Sequence, residues 1–212
     1  KKRGCEVQIT PTIASDVDFT PAAKAIKARK GSRSAYARME QGRGWQTEVT
    51  PELQAWLANL NSFYLATANA LGQPYIQHRG GPVGFLKVLD AHTLAFADFT
   101  GNRQYISSGN LAENPQAFLF TMDYAQRQRI KLWGRARVVE GEEALLERLA
   151  GPLYEGQPEQ AIVFELSAWD ANCPQHIPQK FDAVDVEHAL RTRDARIQAL
   201  EQELAQLRAA HP

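Results

Sequence analysis

Cysteine is scarce in this chain, with only Cys5 and Cys173 among 212 residues. Two thiols so far apart argue against a disulfide scaffold, and the spacing of cysteine and histidine is not typical of a metal site. The first residues do not combine positive charge with an apolar segment, so a secretory signal is not predicted. We therefore expect a cytoplasmic protein, in keeping with a reducing compartment.

Long apolar runs and an excess of charge of either sign are also missing. No segment approaches the roughly 18 consecutive apolar residues of a membrane span. Lysine and arginine number 24, and aspartate and glutamate number 24, so the formal net charge is zero. A neutral chain is not drawn to nucleic acid or anionic membranes by bulk electrostatics. Any bound anion must be held by a local cluster of donors.

Hydrophobic periodicity divides the chain into three parts. Residues 1–49 are predicted to form an N-terminal arm with short helices that break at Gly31. Residues 50–182 begin with a helix, in which Thr50 caps the start and Pro51 takes the first position. Six strands in short hairpins follow, which predict a mainly β fold with α, a small antiparallel barrel with flanking helices. Closure is expected because an open sheet this apolar would leave an adhesive edge.

Residues 183–212 are predicted to form an amphipathic, coiled-coil-like helix. Apolar residues from 186 to 207 recur in steps of four, seven, three, four and three, a heptad seam with Arg193 at one seam position. A helix with such a narrow stripe is marginal alone and stable when paired. The regularity favours pairing with a second copy of the chain, and the alternative is packing on the chain's own barrel.

A candidate anion site follows the strand at residues 96–99. Thr100 and Gly101 turn the chain, and Asn102, Arg103 and Gln104 are predicted to open a short helix. A helix start offers free N–H donors and the positive end of the dipole. Together with the arginine and the side-chain amides it forms a cradle suited to phosphate. The alternative is an ordinary capped helix with an exposed arginine.

Glycines are unusually dense in the strand segment at residues 75–90. Gly80, Gly81 and Gly84 lie close to His78 and Arg79. Glycine within a strand marks either a bulge or a place where a ligand approaches the backbone. Both interpretations remain open for this segment.

Two other segments carry candidate functional side chains. Cations alternate along residues 125–141, which places them on one face of a strand. For most of them we interpret this face as the solvated outer surface of the barrel. The loop at residues 168–181 concentrates polar and aromatic groups, and functional residues favour such loops. A thiolate–imidazole pair of Cys173 and His176 is disfavoured, because no third group is present to orient it.

In this order the segments resemble the pyridoxamine 5′-phosphate oxidase-like, FMN-binding split-barrel family. The resemblance covers residues 55–141 and is weaker to 181; its matching runs are GQPYIQHRGG…FLKVLD, LAFADFTGNRQYISSGNLAENPQAFLFTMD and RQRIKLWGRARVVEG. It implies a six-stranded split β-barrel and an FMN-dependent oxidoreductase. It also implies a homodimer with FMN at the subunit interface.

The resemblance further implies which residues hold FMN. Strand residues Arg79 and Lys87 would hold the flavin nucleotide, and the residues at 102–104 would grip the phosphate. Arg129 would reach the flavin, and Trp169 would flank it. The full implied cofactor set is His78, Arg79, Gly80, Lys87, Asn102, Arg103, Gln104, Arg129, Trp169 and Gln175.

Two departures separate this chain from the vitamin-forming oxidases of that family. It lacks their C-terminal strand with a substrate-binding arginine, and GGPVG lengthens the run between Arg79 and Lys87. The segment CPQHIPQ resembles a subgroup of uncharacterised flavin-nucleotide-binding proteins. There Gln175 and His176 would approach the flavin edge, with His176 as the candidate catalytic proton donor.

Three functions remain open from the sequence. The first is an oxidoreductase, and the second is a flavin carrier or sensor without turnover. A haem-binding split barrel is the third possibility, with His78 and His176 as candidate ligands.

Overall fold

The computed structural model describes residues 13–41, 44–151, 156–172 and 175–210. The chain divides into two compact units. Lys1–Met122 with Arg129–Cys173 form the first unit, and Asp123–Gln128 with Pro174–Pro212 form the second. Cys5 and Cys173, the two thiols of the chain, lie outside the described residues.

The first unit is built on one sheet. Its strands are β1 (Ser62–Ala68), β2 (Pro74–Gly80), β3 (Lys87–Val88), β4 (Thr93–Phe99), β5 (Gln116–Asp123), β6 (Gln128–Val139) and β7 (Pro158–Asn172). They lie in the order β2-β1-β5-β6-β7-β4-β3, with antiparallel pairing. The prediction of six strands is one short, because the two-residue β3 pairs with β4 as a strand of its own.

This sheet curls into a split barrel, since side chains from distant strands of the order meet inside it. Phe63 on β1 packs edge-on against Phe96 on β4, with ring centroids 5.1 Å apart. Arg79 on the edge strand β2 forms an ion pair with Asp98 on β4, next to the opposite edge. The main hydrophobic core fills the space between these strands. The predicted fold class is therefore confirmed.

Strand β6 shows how the sequence assigns its two faces. Ile130, Leu132 and Ala136 are buried in the core, whereas Arg135 and Arg137 on the other face are exposed. Alternate residues of a strand point to opposite sides of the sheet. These two arginines lie on a solvated outer surface, as the sequence favoured for most of the cations at residues 125–141.

Helices flank the barrel at sites that local signals largely predict. Gly31, with φ of 79°, separates the first two helices. The third begins at Pro51, and the Thr50 hydroxyl accepts a hydrogen bond of 3.3 Å from the Leu53 backbone N–H. The helices of this unit are α1 (Pro21–Arg29), α2 (Arg33–Gln41), α3 (Pro51–Ala58), α4 (Ile106–Glu113) and α5 (Glu143–Ala150).

The N-terminal arm packs on the outer face of the barrel. Trp45 is 6% exposed and stacks on Trp133 of β6, with ring centroids 4.2 Å apart. The backbone of Gln46 exchanges two hydrogen bonds with Trp169 on β7. This contact covers Trp133, an apolar side chain on the otherwise basic outer face of β6.

The second unit consists of a turn and one long helix. The Gln179 side chain donates a 2.9 Å hydrogen bond to the Ala125 carbonyl, and the Lys180 ammonium lies 4.7 Å from the Tyr124 ring centroid. The helix, α6 (Ala183–Ala210), confirms the predicted C-terminal helix. Within the described residues, no helix is both long enough and apolar enough to cross a membrane.

Candidate anion-binding site

A polar cleft of about 270 Å³ opens between β2, β4 and the segment at residues 100–105. Its walls carry two guanidinium groups, from Arg79 and Arg103, and two carboxylates, from Asp98 and Glu159. The amides of residues 102 and 104 complete one wall. The cleft therefore combines several hydrogen-bond donors that could bind an anion with a formal net charge near zero.

A buried polar network forms the floor of this cleft. Asp98 forms an ion pair with Arg79 through one carboxylate oxygen. Its other oxygen accepts a 2.9 Å hydrogen bond from the Gln160 amide, which also donates to the Ser108 hydroxyl at 3.0 Å. Gln160 is only 4% exposed. The network holds Arg79 in place, while its Nε is buried without a hydrogen-bond partner among the described residues.

Helix α4 is tied to the barrel beside the cleft. The Ser107 hydroxyl donates to the Gln77 side chain on β2 at 2.9 Å. One turn later the buried Asn110 amide donates to Thr67 on β1 at 3.0 Å. These bonds hold the start of α4, and its free backbone N–H groups, against the cleft.

The segment at residues 100–105 has an irregular backbone. Arg103 and Tyr105 have φ of 55° and 50°, in the left-handed region that costs an ordinary residue about 1–2 kcal/mol. Gln104 N–H donates to the Asn102 side chain at 3.3 Å. The prediction that residues 102–104 open the helix is wrong, because α4 begins at Ile106. The same residues still line the cleft, in the loop before the helix.

A tyrosine–carboxylate contact closes one side of the cleft. The Tyr105 hydroxyl donates a 2.5 Å hydrogen bond to Glu159 on β7. This bond to the carboxylate raises the pKa of Tyr105 above its ordinary value, and desolvation adds to the rise. Tyr105 therefore remains a neutral donor at physiological pH, and one oxygen of Glu159 is occupied.

Four of the predicted cofactor residues meet in this cleft: Arg79, Asn102, Arg103 and Gln104. His78 does not join them, because alternation along β2 turns its exposed side chain away from Arg79. Its ring lies edge-on to Tyr64 instead.

Lys87 is also not part of the cleft lining. It pairs with Ala95 in the β3–β4 register, and cross-strand partners share one face of a sheet. Ala95 packs in the small core cluster with Leu149 of α5, whereas Phe96, on the other face of β4, belongs to the main core. Lys87 thus lies on the α5 side of the sheet.

Trp169 and Arg129 occupy other parts of the first unit. Trp169 is buried in the main core, and its indole N–H donates to the Glu48 carbonyl at 2.8 Å. Arg129, half-buried near the start of β6, has its Nε buried without a hydrogen-bond partner among the described residues. Neither side chain lines the cleft. Their flavin contacts stay predictions.

Gln175 and His176 belong to the second unit, where both are exposed. His176 has φ of 63°, the left-handed conformation that is uncommon for a residue other than glycine. The catalytic role of His176 stays a prediction.

The glycine cluster is explained by the packing of the chain itself. A Cβ on Gly81 would lie 2.6 Å from the Phe85 ring, and one on Gly84 would lie 2.8 Å from the Ala58 carbonyl. A Cβ on Gly80 would lie 3.3 Å from the ring of His78. The close neighbours are protein atoms, so ligand clearance is not needed to account for these glycines.

Sequence reasoning missed the residues that organise the cleft. Gln77 lies two positions before Arg79 and so shares its strand face, a signal that was available. Asp98 is a polar residue inside the apolar run LAFADF, and Gln160 immediately precedes the apolar run AIVF. Buried polar residues of this kind require partners, which is the signal that could have marked them.

These features define a split-barrel protein with a polar cleft, lined by arginine and amide donors, beside the start of a short helix. A family model described as pyridoxamine 5′-phosphate oxidase matches residues 49–173. The chain belongs to this pyridoxamine 5′-phosphate oxidase-like family.

Several solved structures are similar to the chain at low identity. HupZ from Group A Streptococcus is 19% identical with a TM-score of 0.48, and the match covers 62% of this chain and 98% of HupZ. A putative pyridoxamine 5′-phosphate oxidase from Lactobacillus delbrueckii is 22% identical with a TM-score of 0.46, over 59% of this chain and 95% of the other. An FMN-binding protein from Syntrophomonas wolfei is 16% identical with a TM-score of 0.46, over 70% of this chain and 97% of the other. None of the curated proteins matches the chain.

Proposed function

We propose that this chain is an FMN-dependent oxidoreductase that acts as a homodimer, and that the polar cleft holds the FMN phosphate. One observation carries the proposal. Arg79 on β2 and the consecutive residues Asn102, Arg103 and Gln104 come from two separate parts of the sequence and line a single cleft beside the start of α4. Membership of the pyridoxamine 5′-phosphate oxidase-like family supports it.

The donors of the cleft suit a phosphate. Guanidinium groups form charge-assisted, often bidentate hydrogen bonds with phosphate oxygens, and a helix start adds backbone donors. The unpaired Nε of Arg79 is a buried donor that an oxygen ligand would satisfy. Asp98 is paired with Arg79, so Arg103 is the guanidinium of the cleft that forms no ion pair among the described residues. These residues fit the phosphate end of FMN.

The size of the cleft limits what one chain contacts there. Pockets that enclose a whole small ligand have volumes of about 300–1,000 Å³, whereas this cleft has about 270 Å³. It accommodates the phosphate and the adjoining part of the sugar chain. A second subunit would then cover the ring system, which is why the proposal includes a homodimer with FMN at the interface.

Bound FMN would supply the electron-transfer chemistry, and the protein would supply position and charge. Arg103 and the amides at 102 and 104 would bind the phosphate. Asp98 would orient Arg79, and Gln160 would hold Asp98 through its 2.9 Å hydrogen bond. The substrate and the electron donor are outside this proposal.

The test compares FMN with riboflavin, which lacks the phosphate. Titration monitored by flavin fluorescence should show saturation near one FMN per chain and much weaker binding of riboflavin. Arg103→Ala should weaken FMN binding roughly tenfold or more, because a hydrogen bond to a charged group contributes about 1.5–3 kcal/mol. Riboflavin binding should be unchanged. Arg135→Ala, at an exposed arginine on the outer face of β6, is the matched control.

Equal affinities for FMN and riboflavin would remove the phosphate assignment, and so would an Arg103→Ala variant that binds FMN normally. The oxidoreductase part is tested separately by adding NADH or NADPH to the FMN-loaded protein without oxygen. Bleaching of the flavin absorbance, with turnover on an acceptor, supports an enzyme. A flavin that is bound but not reduced by any donor supports a carrier or sensor instead.

A further inference from the structure

Helix α6 carries a regular heptad pattern along most of its length. It has 28 residues and is about 42 Å long at 1.5 Å per residue. The a positions of the pattern are Ala183, Leu190, Ile197 and Leu204, and the d positions are Val186, Arg193, Leu200 and Leu207. The large apolar residues among them are between 41% and 55% exposed. A narrow apolar seam of this kind is the surface by which two helices pack as a coiled coil.

The composition of the seam favours two parallel strands in register. In that arrangement each layer pairs a residue with its own copy, so both Arg193 side chains share one layer and every other layer from Val186 to Leu207 is apolar. In an antiparallel pair centred on Ile197 and Leu200, each Arg193 would face a leucine. The arginines would then interrupt two layers rather than one. Of the a positions only Ile197 is β-branched, and in that part of the seam its combination with Leu200 at d favours two strands.

The charges that flank the seam are complementary in the same arrangement. Parallel helices bring each g residue beside the e residue five positions further along the partner. Arg196 then meets Glu201 of the second copy, and Glu203 meets Arg208 of the second copy. Each contact joins opposite charges and occurs twice by symmetry.

The N-terminal end of the helix opposes this pairing only weakly. There Asp182 would approach Glu187 of the second copy, a contact between like charges. Glu187 is already engaged by Arg191 of its own helix at 2.9 Å, in an i,i+4 ion pair. Asp182 also lies before the first residue of α6. The repulsion is therefore confined to the end of the helix and is partly neutralised.

Arg193 has a compensating partner next to it. Its guanidinium forms an ion pair of 3.2 Å with Asp194, the adjoining e residue. In a parallel pair a d residue packs against the e residue of the other helix as well as its own counterpart. The layer would then hold two arginines and two aspartates, which balance in charge. A single polar layer in an apolar seam fixes register and strand number at some cost in stability.

We propose that α6 pairs with α6 of a second copy as a parallel, in-register, two-stranded coiled coil, and that the Arg193–Asp194 layer sets its register. This inference goes beyond the proposed function and does not depend on flavin binding.

Disulfide trapping tests the pairing directly. Cys5→Ala with Cys173→Ala removes the native thiols, and Leu204→Cys then places one thiol in a seam layer that faces itself. In a glutathione redox buffer the full chain should form a covalent dimer in high yield. Gln202→Cys, at the outward f position, is the matched control and should remain monomeric on a non-reducing gel. Absence of a covalent dimer from Leu204→Cys would overturn the parallel, in-register pairing.

Orientation and charge are tested in the same background. An antiparallel pair would link Leu204→Cys to Arg193→Cys in a double variant and leave Leu204→Cys alone unlinked, which would overturn the parallel arrangement. Glu201→Arg should lower the equilibrium yield of the Leu204→Cys dimer, expressed as an effective concentration, by roughly fivefold or more. Adding Arg196→Glu should restore it. The assigned charge pairs would be contradicted if Glu201→Arg left the dimer yield unchanged. They would also be contradicted if Arg196→Glu did not restore the yield of the Glu201→Arg variant.

Discussion

Replacing Asp98 with asparagine would leave the mostly buried Arg79 guanidinium without its counter-charge. The two side chains are 14% and 13% exposed. The asparagine side chain retains one oxygen, which can accept from the Gln160 amide, and its NH2 group then faces the Arg79 guanidinium. The change is therefore nearly isosteric and removes a charge and the hydrogen-bond acceptor of Arg79.

The expected cost follows from the burial of the pair. Removing one partner of a fully buried ion pair destabilises a protein by about 3–5 kcal/mol, whereas an exposed pair contributes at most about 1 kcal/mol. This pair is mostly but not fully buried, so we expect a loss of about 2 kcal/mol. For a chain of this size that corresponds to a fall in Tm of about 4–8 °C.

A phosphate in the cleft should reverse part of this loss. In Asp98→Asn the phosphate would supply the negative charge that Arg79 has lost, so the variant should gain more stability from the ligand than the original protein does. A ligand that binds only the folded state stabilises it in proportion to the logarithm of its concentration over Kd. FMN and inorganic phosphate should both raise the Tm of Asp98→Asn by more degrees than they raise that of the original protein.

The measurement is thermal unfolding followed by intrinsic tryptophan fluorescence, with and without each ligand. Asp185→Asn is the control, because it makes the same chemical change at an exposed position of α6. An Asp98→Asn variant whose Tm rises no more than that of the original protein would refute the reasoning, since phosphate would not then be neutralising Arg79. A variant with an unchanged Tm would show that the ion pair contributes little.

Further predictions concern the barrel and its pH dependence. Gly134→Ala would place a Cβ 2.1 Å from the Glu165 carbonyl oxygen, so we expect a loss of about 3 kcal/mol or more in urea unfolding. Gly109→Ala in α4 meets no atom within 4 Å and should instead stabilise by about 0.5–1 kcal/mol; similar effects for both variants would contradict the packing. Desolvation raises the pKa of Asp170, and the charge of Lys131 partly offsets the rise. The folded state thus holds this proton more tightly, so stability should fall as pH rises from the unfolded carboxyl value near about 4 through the raised folded value. Asp170→Asn should lack that fall in a series of Tm measurements from acidic to neutral pH, and parallel curves would contradict the assignment.

Features that depend on near neighbours in the chain were predictable. The start of α3 follows from Thr50 and Pro51, and the break before α2 follows from Gly31. The alternation of β6 identifies its buried face, because a strand has a fixed period of two. The heptad seam of α6 is likewise contained in residue spacing. In each case the relevant partner is within a few positions, so local sequence carries the information.

For the candidate site, the sequence predicted which types of residue would bind the cofactor, but it did not always predict which of them lie together in the cleft. Arg79 and Arg103 were identified as hydrogen-bond donors to the cofactor, and both line the cleft. Lys87 and Trp169 were assigned by resemblance to the same cofactor, yet neither lines it. For Trp169 the reason is a hydrogen bond to Glu48, a residue far away in the sequence.

The sequence by itself determined the fold class, the family, the C-terminal helix and the chemical nature of the anion donors, because these depend on periodicity and on residue type. The tertiary structure decided the partners of those donors. Asp98 meets Arg79 only because the sheet curls and brings β4 across to β2. Helix α4 starts at Ile106 without a side-chain cap. It is held by the bond that Ser107 donates to Gln77 on β2 and by the bond that Ser108 accepts from Gln160 on β7. Contacts of this kind depend on chain closure over long separations, which short-range sequence patterns do not encode.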